Sequence, residues 1–173
     1  MDNNYVFQYW EAIENGAVTV GKWIRTIYKI LVDGLKSGKW DFDGDKANKA
    51  INFIENFCHH SEGRNDLLKL ELWQKAIVSA IFGIMDKKTG YRQFREVFIV
   101  VARKNGKTLF AAAIAAYMTY IDGEYGAKVY FLAPKLDQAD LVYDAFYQIV
   151  QADDELESIT KKRRSDIYIK EFN

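Results

Sequence analysis

The apolar run Val97-Phe98-Ile99-Val100 leads directly into Val101-Ala-Arg-Lys-Asn-Gly-Lys-Thr108, and that leads directly into the helix-forming stretch Leu109 to Ala116. Strand, loop, helix is the order that most constrains this chain. A strand turning into a helix start presents backbone N–H groups and the positive end of a helix dipole to an anion. Gly106 lets the backbone come close to it. Lys107 reaches β- and γ-phosphates, and the Thr108 hydroxyl is of the kind that completes the shell of a phosphate-bound Mg²⁺. With Arg103, Lys104 and Asn105 filling the loop, the expected ligand is ATP with Mg²⁺. The strict pattern has glycine at its first position, where this chain has Val101, so a basic turn between a strand and a helix stands as the alternative. Gly16-Ala-Val-Thr-Val-Gly21-Lys22-Trp23 keeps both glycines and the lysine but ends in Trp23, which cannot serve Mg²⁺, and follows a polar segment. It reads as a turn and a helix start.

At 173 residues, nearly half of them apolar and 15% aromatic, the chain can bury one full core. Its 24 basic and 24 acidic residues cancel, so no overall field draws in DNA, and any nucleic-acid contact must come from a local patch. The single cysteine, Cys58, excludes an intramolecular disulfide framework and suits a reducing compartment. The start lacks the regions of a signal peptide, and the apolar stretch around Leu109 to Ile121 is too short to span a bilayer. A soluble, intracellular protein with no membrane partner is expected.

Residues 1–62 read as a helical N-terminal segment. Trp23, Ile27, Ile30, Leu31 and Leu35 recur at spacings of three and four, Gly34 to Gly44 breaks the pattern, and Asp45 is placed to cap a helix carrying Ala47, Ala50, Ile51, Ile54 and Phe57. Residues 61–66 read as a connection, 67–84 as a further helix and 86–90 as a turn. Strand 94–101, helix 107–121, strand 128–132, helix 135–151 and a late strand at 166–172 then alternate. The fold class expected is α/β, with residues 63–173 forming the N-terminal portion of a phosphate-loop NTPase: an incomplete parallel sheet with flanking helices.

These pieces together resemble the N-terminal part of the large terminase subunit of tailed bacteriophages, the ATP-driven motor that packages DNA into the prohead and cuts it. The resemblance rests on Gly16 to Lys22 with the helix after it, Phe53-Ile54-Glu55, Leu72-Trp73-Gln74, Gly90 to Arg95, Ala133-Pro134 through Ala139 and, most specifically, Arg103-Lys-Asn-Gly-Lys-Thr108. In that family an arginine replaces much of the loop's glycine character, which accounts for Val101. The resemblance implies that Trp73 and Gln74 form the adenine-side motif, Gln74 offering an amide to a base edge; the bland reading of this pair is core plus surface. It implies that Arg103 stabilises charge developing on the γ-phosphate, as an arginine finger does, beside the catalytic Lys107. It implies that Ala133-Pro134-Lys135 with Gln138 couples nucleotide state to movement along DNA, where the bland reading is a strand end and a helix start. Its implied partners are ATP, double-stranded DNA, the portal protein and the small terminase subunit, in the cytoplasm of an infected or lysogenic bacterial host.

Hydrolysis also needs a carboxylate to hold Mg²⁺ and another to activate water, which in these motors end an apolar strand as consecutive acidic residues. Phe131-Leu132-Ala133 ends without them, Asp153-Asp154-Glu155 reads as a solvated turn, and no segment matches the nuclease domain. The expectation is therefore a front piece of a larger protein that binds nucleotide and hydrolyses it slowly. A superfamily 2 helicase-like translocase and a non-catalytic prophage remnant are the competing readings. Three further motifs have bland readings. Cys58-His59-His60 reads as a packed helix terminus, and Asp41 to Asp45 as caps and turns. Lys161-Lys-Arg-Arg164 reads as solvent-facing, with DNA phosphates as its functional alternative.

Overall fold

The computed structural model describes residues 4–60, 66–124, 126–163 and 166–170. The chain divides into two compact units, one of residues 1–52 and 70–99, the other of residues 53–69 and 100–173.

The first unit is built on helices α1 (Tyr5–Glu14), α2 (Lys22–Lys36) and α4 (Leu72–Gly83), with the front of α3 (Gly44–Phe57). Asn4 starts α1 because its Oδ1 accepts the Val6 and Phe7 N–H groups at 3.1 and 3.4 Å. Val6, Tyr9 and Ile13 recur on one face of α1 and meet Tyr28, Leu31 and Val32 of α2, Trp40, and Ala76 of α4 in one apolar cluster. Tyr9 and Tyr28 pack edge to face at 4.7 Å, and burial raises the Tyr28 hydroxyl far above its ordinary range. Strands β1 (Asp41–Phe42) and β2 (Ile84–Met85) pair antiparallel, Asp41 opposite Met85 and Phe42 opposite Ile84. The glycine-rich segment at 16–21 is the expected turn and helix start: Gly16 has φ +79°, and α2 begins at Lys22.

Two expected helix starts move. The one predicted at 67 begins at Leu72, because Glu71 and Gln74 form a reciprocal capping box there, while Leu68 N–H donates to Cys58 O at 2.7 Å and so keeps the preceding residues extended. The cap assigned to Asp45 belongs to Asp43, whose Oδ1 accepts the Lys46 N–H at 2.9 Å; Asp45 lies in the first turn.

The second unit packs α5 (Lys107–Tyr120) against α6 (Leu136–Gln151), followed by α7 (Asp154–Ile159). The alanines are what allow the close approach: Ala112, Ala113, Ala115 and Ala116 of α5 are buried beside Phe110 and Tyr117. Phe146 and Ile149 of α6 and Leu156 of α7 complete the core. Cys58 is fully buried at the end of α3, and burial, with the negative charge of Asp153 adding to it, pushes its thiol up to about 12. That thiol stays protonated and inert at neutral pH. Asp153, read above as part of a solvated turn, instead caps α7, accepting from the Glu155 and Leu156 N–H groups at 3.0 Å each.

The expected parallel sheet is the main departure. Among the described residues the ladders are two antiparallel pairs, β1 with β2, and β3 (Thr160–Lys162) with β4 (Ile167–Ile169), the latter within the late strand expected at 166–172. Segments 96–101 and 127–133 run without a ladder partner. Most of their apolar side chains face solvent, Phe98 95% and Leu132 91% exposed, so the burial on both faces that stabilises parallel strands is not supplied here. No helix among the described residues is long and apolar enough to cross a membrane.

Candidate functional site

The loop before α5 has an unusual backbone for its sequence. Lys104 has φ +65° and Gly106 has φ +66°, with Asn105 between them on the negative side, so φ alternates in sign along the turn. Alternation of this kind points successive N–H groups into one concavity, the arrangement that binds anions. Lys104 occupies the left-handed region without being glycine, a strain characteristic of functional turns. Asn105 supplies an opposing force: its Nδ2 donates to Ala102 O at 3.3 Å and to Arg103 O at 3.2 Å, tying the loop across its own base.

Gly106 is also the N-cap of α5, and having no side chain it leaves the first-turn N–H groups of the helix uncapped; the first intrahelical bond runs from Phe110 N to Gly106 O at 2.9 Å. No acidic residue stands in that first turn. Arg103, Lys104, Asn105 and Lys107 are exposed and Thr108 is half-buried, so three cations, an uncapped helix start and a hydroxyl lie within six residues. Chemically such a set of groups can hold a polyanion, and a hydroxyl can share a cation that the anion brings. The space around Gly106 is open, so its requirement for glycine comes from φ alone. Gly106→Ala is expected to cost roughly 1–2 kcal/mol in a denaturant titration, from backbone strain without crowding.

Trp73 and Gln74 belong to the other unit. Trp73 is partly buried against the apolar cluster of that unit. Gln74 is buried, and its Oε1 accepts the Glu71 N–H at 2.9 Å in the capping box, so the side chain has a structural task whatever else it does. Ala133-Pro134-Lys135 leads into α6, with Lys135 as N-cap and the Gln138 N–H donating to Lys135 O at 3.1 Å. Sequence reasoning missed the tie made by Asn105 and the strain at Lys104. Asparagine before glycine signalled a turn, but not which residue takes positive φ.

A family model described as the ATPase domain of the terminase large subunit matches residues 72–171. Among solved structures, the crystal structure of the HK97 bacteriophage large terminase is similar in fold, with a TM-score of 0.62 and 24% sequence identity. That similarity covers 74% of this chain but 26% of the HK97 protein, so the chain spans about a quarter of its length. No curated protein matches the sequence. The family model takes in more than half of the chain, including the whole of the loop before α5, and the chain therefore belongs to the terminase large subunit ATPase-domain family.

Proposed function

We propose that this chain is the ATP-binding part of a phage DNA-packaging motor, holding the triphosphate of ATP–Mg²⁺ in the loop at 103–108. The observation that carries the reading is the uncapped start of α5 behind a turn of alternating φ, with three cations along the loop and no acidic residue in the first turn of the helix. In this reading the N–H groups of the loop and first turn contact the phosphates and Lys107 adds a point charge at the β/γ end. Thr108 serves Mg²⁺, and Arg103 acts on the charge that develops during transfer. By the family resemblance Trp73 and Gln74 are the candidates for the adenine side, with the Gln74 oxygen already accepting from the Glu71 N–H. The unladdered segments 96–101 and 127–133 are members of a parallel sheet that further strands complete. Duplex DNA, the portal protein and the small terminase subunit are the partners of the assembled motor, in the cytoplasm of a bacterial host.

Turnover by these 173 residues alone is expected to be very slow, because Phe131-Leu132-Ala133 does not end in a pair of consecutive acidic residues to hold Mg²⁺ and activate water. The test is a titration of the pure chain with a fluorescent ATP analogue and Mg²⁺, competed by ATP, by inorganic triphosphate and by adenosine, with phosphate release followed in parallel. ATP and triphosphate should both displace the probe, and phosphate release should stay near background. Displacement by adenosine as effective as by ATP would remove the phosphate loop from the reading, and steady turnover would remove the claim of slow hydrolysis.

A further inference from the structure

The basic run at 161–164 reads from sequence as solvent-facing; its three described members are exposed, on a hairpin whose aromatic surroundings hold them. In the β3–β4 register Thr160 faces Ile169, Lys161 faces Tyr168 and Lys162 faces Ile167. Alternation along the strand sends Thr160 inward and Lys161 outward. Thr160 and Ile169 are buried, and the Thr160 hydroxyl bonds the Tyr120 hydroxyl at 2.6 Å and donates to Leu156 O, fixing the base of the hairpin to α5 and α7. At the other end Tyr143 of α6 donates to Arg163 O and Asp166 O at 3.3 and 3.4 Å. The hairpin is thus tied down at both ends while its cations stay exposed.

Those cations rest on rings. Lys162 Nζ lies 3.7 Å from the Tyr147 ring centre and 5.7 Å from that of Tyr143; the Arg163 guanidinium lies 4.6 Å, and Lys161 Nζ 6.0 Å, from that of Tyr168. A ring holds a cation in place without cancelling its charge, whereas a carboxylate cancels it. Among the described residues neither lysine makes an ion pair, and the Arg163–Asp166 pair, at 3.7 Å with both partners more than half exposed, is weak. The field is felt locally. Although desolvation works to raise it, hydrogen bonds and charge from Lys161 and Arg163 hold the Tyr168 hydroxyl below its ordinary value. Asp166 of the hairpin and Asp144 of α6 add to the desolvation that raises the Tyr143 hydroxyl.

We infer that the β3–β4 hairpin is a contact surface for the phosphate backbone of duplex DNA, made by Lys161, Lys162 and Arg163. The inference rests on the proposed role in DNA packaging for its choice of partner, and on the hairpin for the rest. Tyr147 and Tyr168 already have cations against them, which leaves them poorly placed to stack on unpaired bases, so the surface suits duplex over single strand. Exposed cations on backbone phosphates give contact without sequence preference, as movement along arbitrary DNA requires.

The experiment measures binding of the full chain to a duplex of about 30 base pairs, and to one of its single strands, by fluorescence anisotropy across a NaCl series starting at about 50 mM. Lys161→Gln/Lys162→Gln is compared with Lys49→Gln/Lys88→Gln, which removes two exposed charges elsewhere, and with Lys162→Arg. Thermal midpoints check that each variant is folded. The hairpin variant should lower duplex affinity and flatten the log–log salt dependence by about two, one for each cation removed, while Lys162→Arg and the control pair keep the wild-type slope. A hairpin variant with the wild-type slope overturns the inference. So does a control pair that loses as much, a folded wild type that fails to bind duplex at the lowest salt, or a preference for the single strand. Nucleotide binding without duplex binding removes the hairpin alone; duplex binding without nucleotide binding removes the nucleotide reading alone.

Discussion

Lys107→Ala should weaken binding of ATP–Mg²⁺ by about 10- to 100-fold, the range expected for losing one charge-assisted contact to phosphate, while leaving the free protein as stable as before or slightly more so. The two halves of this expectation come from the same geometry. Lys107 is the first residue of α5, where the positive end of the helix dipole meets its ammonium, and no acidic residue in the first turn offsets the repulsion. A cation at that position costs a few tenths of a kcal/mol to about 1 kcal/mol, and alanine is also the better helix former. The lysine is therefore unfavourable in the empty protein and favourable only when an anion arrives. Isothermal titration with ATP and Mg²⁺, paired with thermal melts without ligand, separates the two effects. Unchanged affinity would show that phosphates are not held at this helix start. A large fall in melting temperature would show that Lys107 serves the fold.

The second large effect is structural. Gly34 lies in the last turns of α2, where Gly→Ala ordinarily stabilises a helix by up to about 1 kcal/mol. Here a Cβ would press into the Trp40 ring, 2.5 Å from its Cε3. The ring has little room to yield: Trp40 is buried in the cluster with Tyr28 and Leu31, meets Phe94 edge to face at 5.5 Å, and has Lys39 Nζ 4.9 Å from its ring centre. Gly34→Ala should therefore destabilise the chain by roughly 1–3 kcal/mol in urea unfolding, the usual cost of overpacking. In a Trp40→Ala background the same substitution should become neutral or stabilising, and the difference between the two backgrounds measures the clash itself. A stabilising Gly34→Ala in the wild-type chain would mean that the ring does not lie against the helix there.

The parts of this fold that were legible in sequence are those where local chemistry and tertiary packing ask for the same residues. Helix α5 was placed within a residue at either end, because Gly106 can only end a turn there and the alanines that follow both favour helix and permit close packing. The start of α4 was missed because its cap is Glu71, a residue type that seldom announces a helix, and the capping box with Gln74 is visible only once the backbone is in place. Asp43 and Asp45 are chemically equal candidates two residues apart, and spacing alone could not rank them. β3 was hidden inside a run of charges, since nothing in Thr160-Lys-Lys162 resembles an ordinary strand until Tyr168 and Ile169 are seen opposite. The parallel sheet was read from the apolar character of 97–100 and 128–132. Apolar character reports what a segment would gain from burial, and these residues have no ladder partner here to supply it. For the candidate site, the identities from Arg103 to Thr108 were legible, but the left-handed backbone of Lys104 was not, because lysine carries no preference for it.

Segments 96–101 and 127–133 also govern how this chain behaves as a solute. Phe98, Val100, Tyr130 and Leu132 are exposed on backbone without ladder bonds, which offers a passing molecule both hydrogen bonds and apolar contact. Encounters of that kind rise with the square of concentration, while folding does not. Dilution therefore protects the isolated chain, and crowding works against it. During synthesis, stretches of this kind are a natural point of hold for a chaperone.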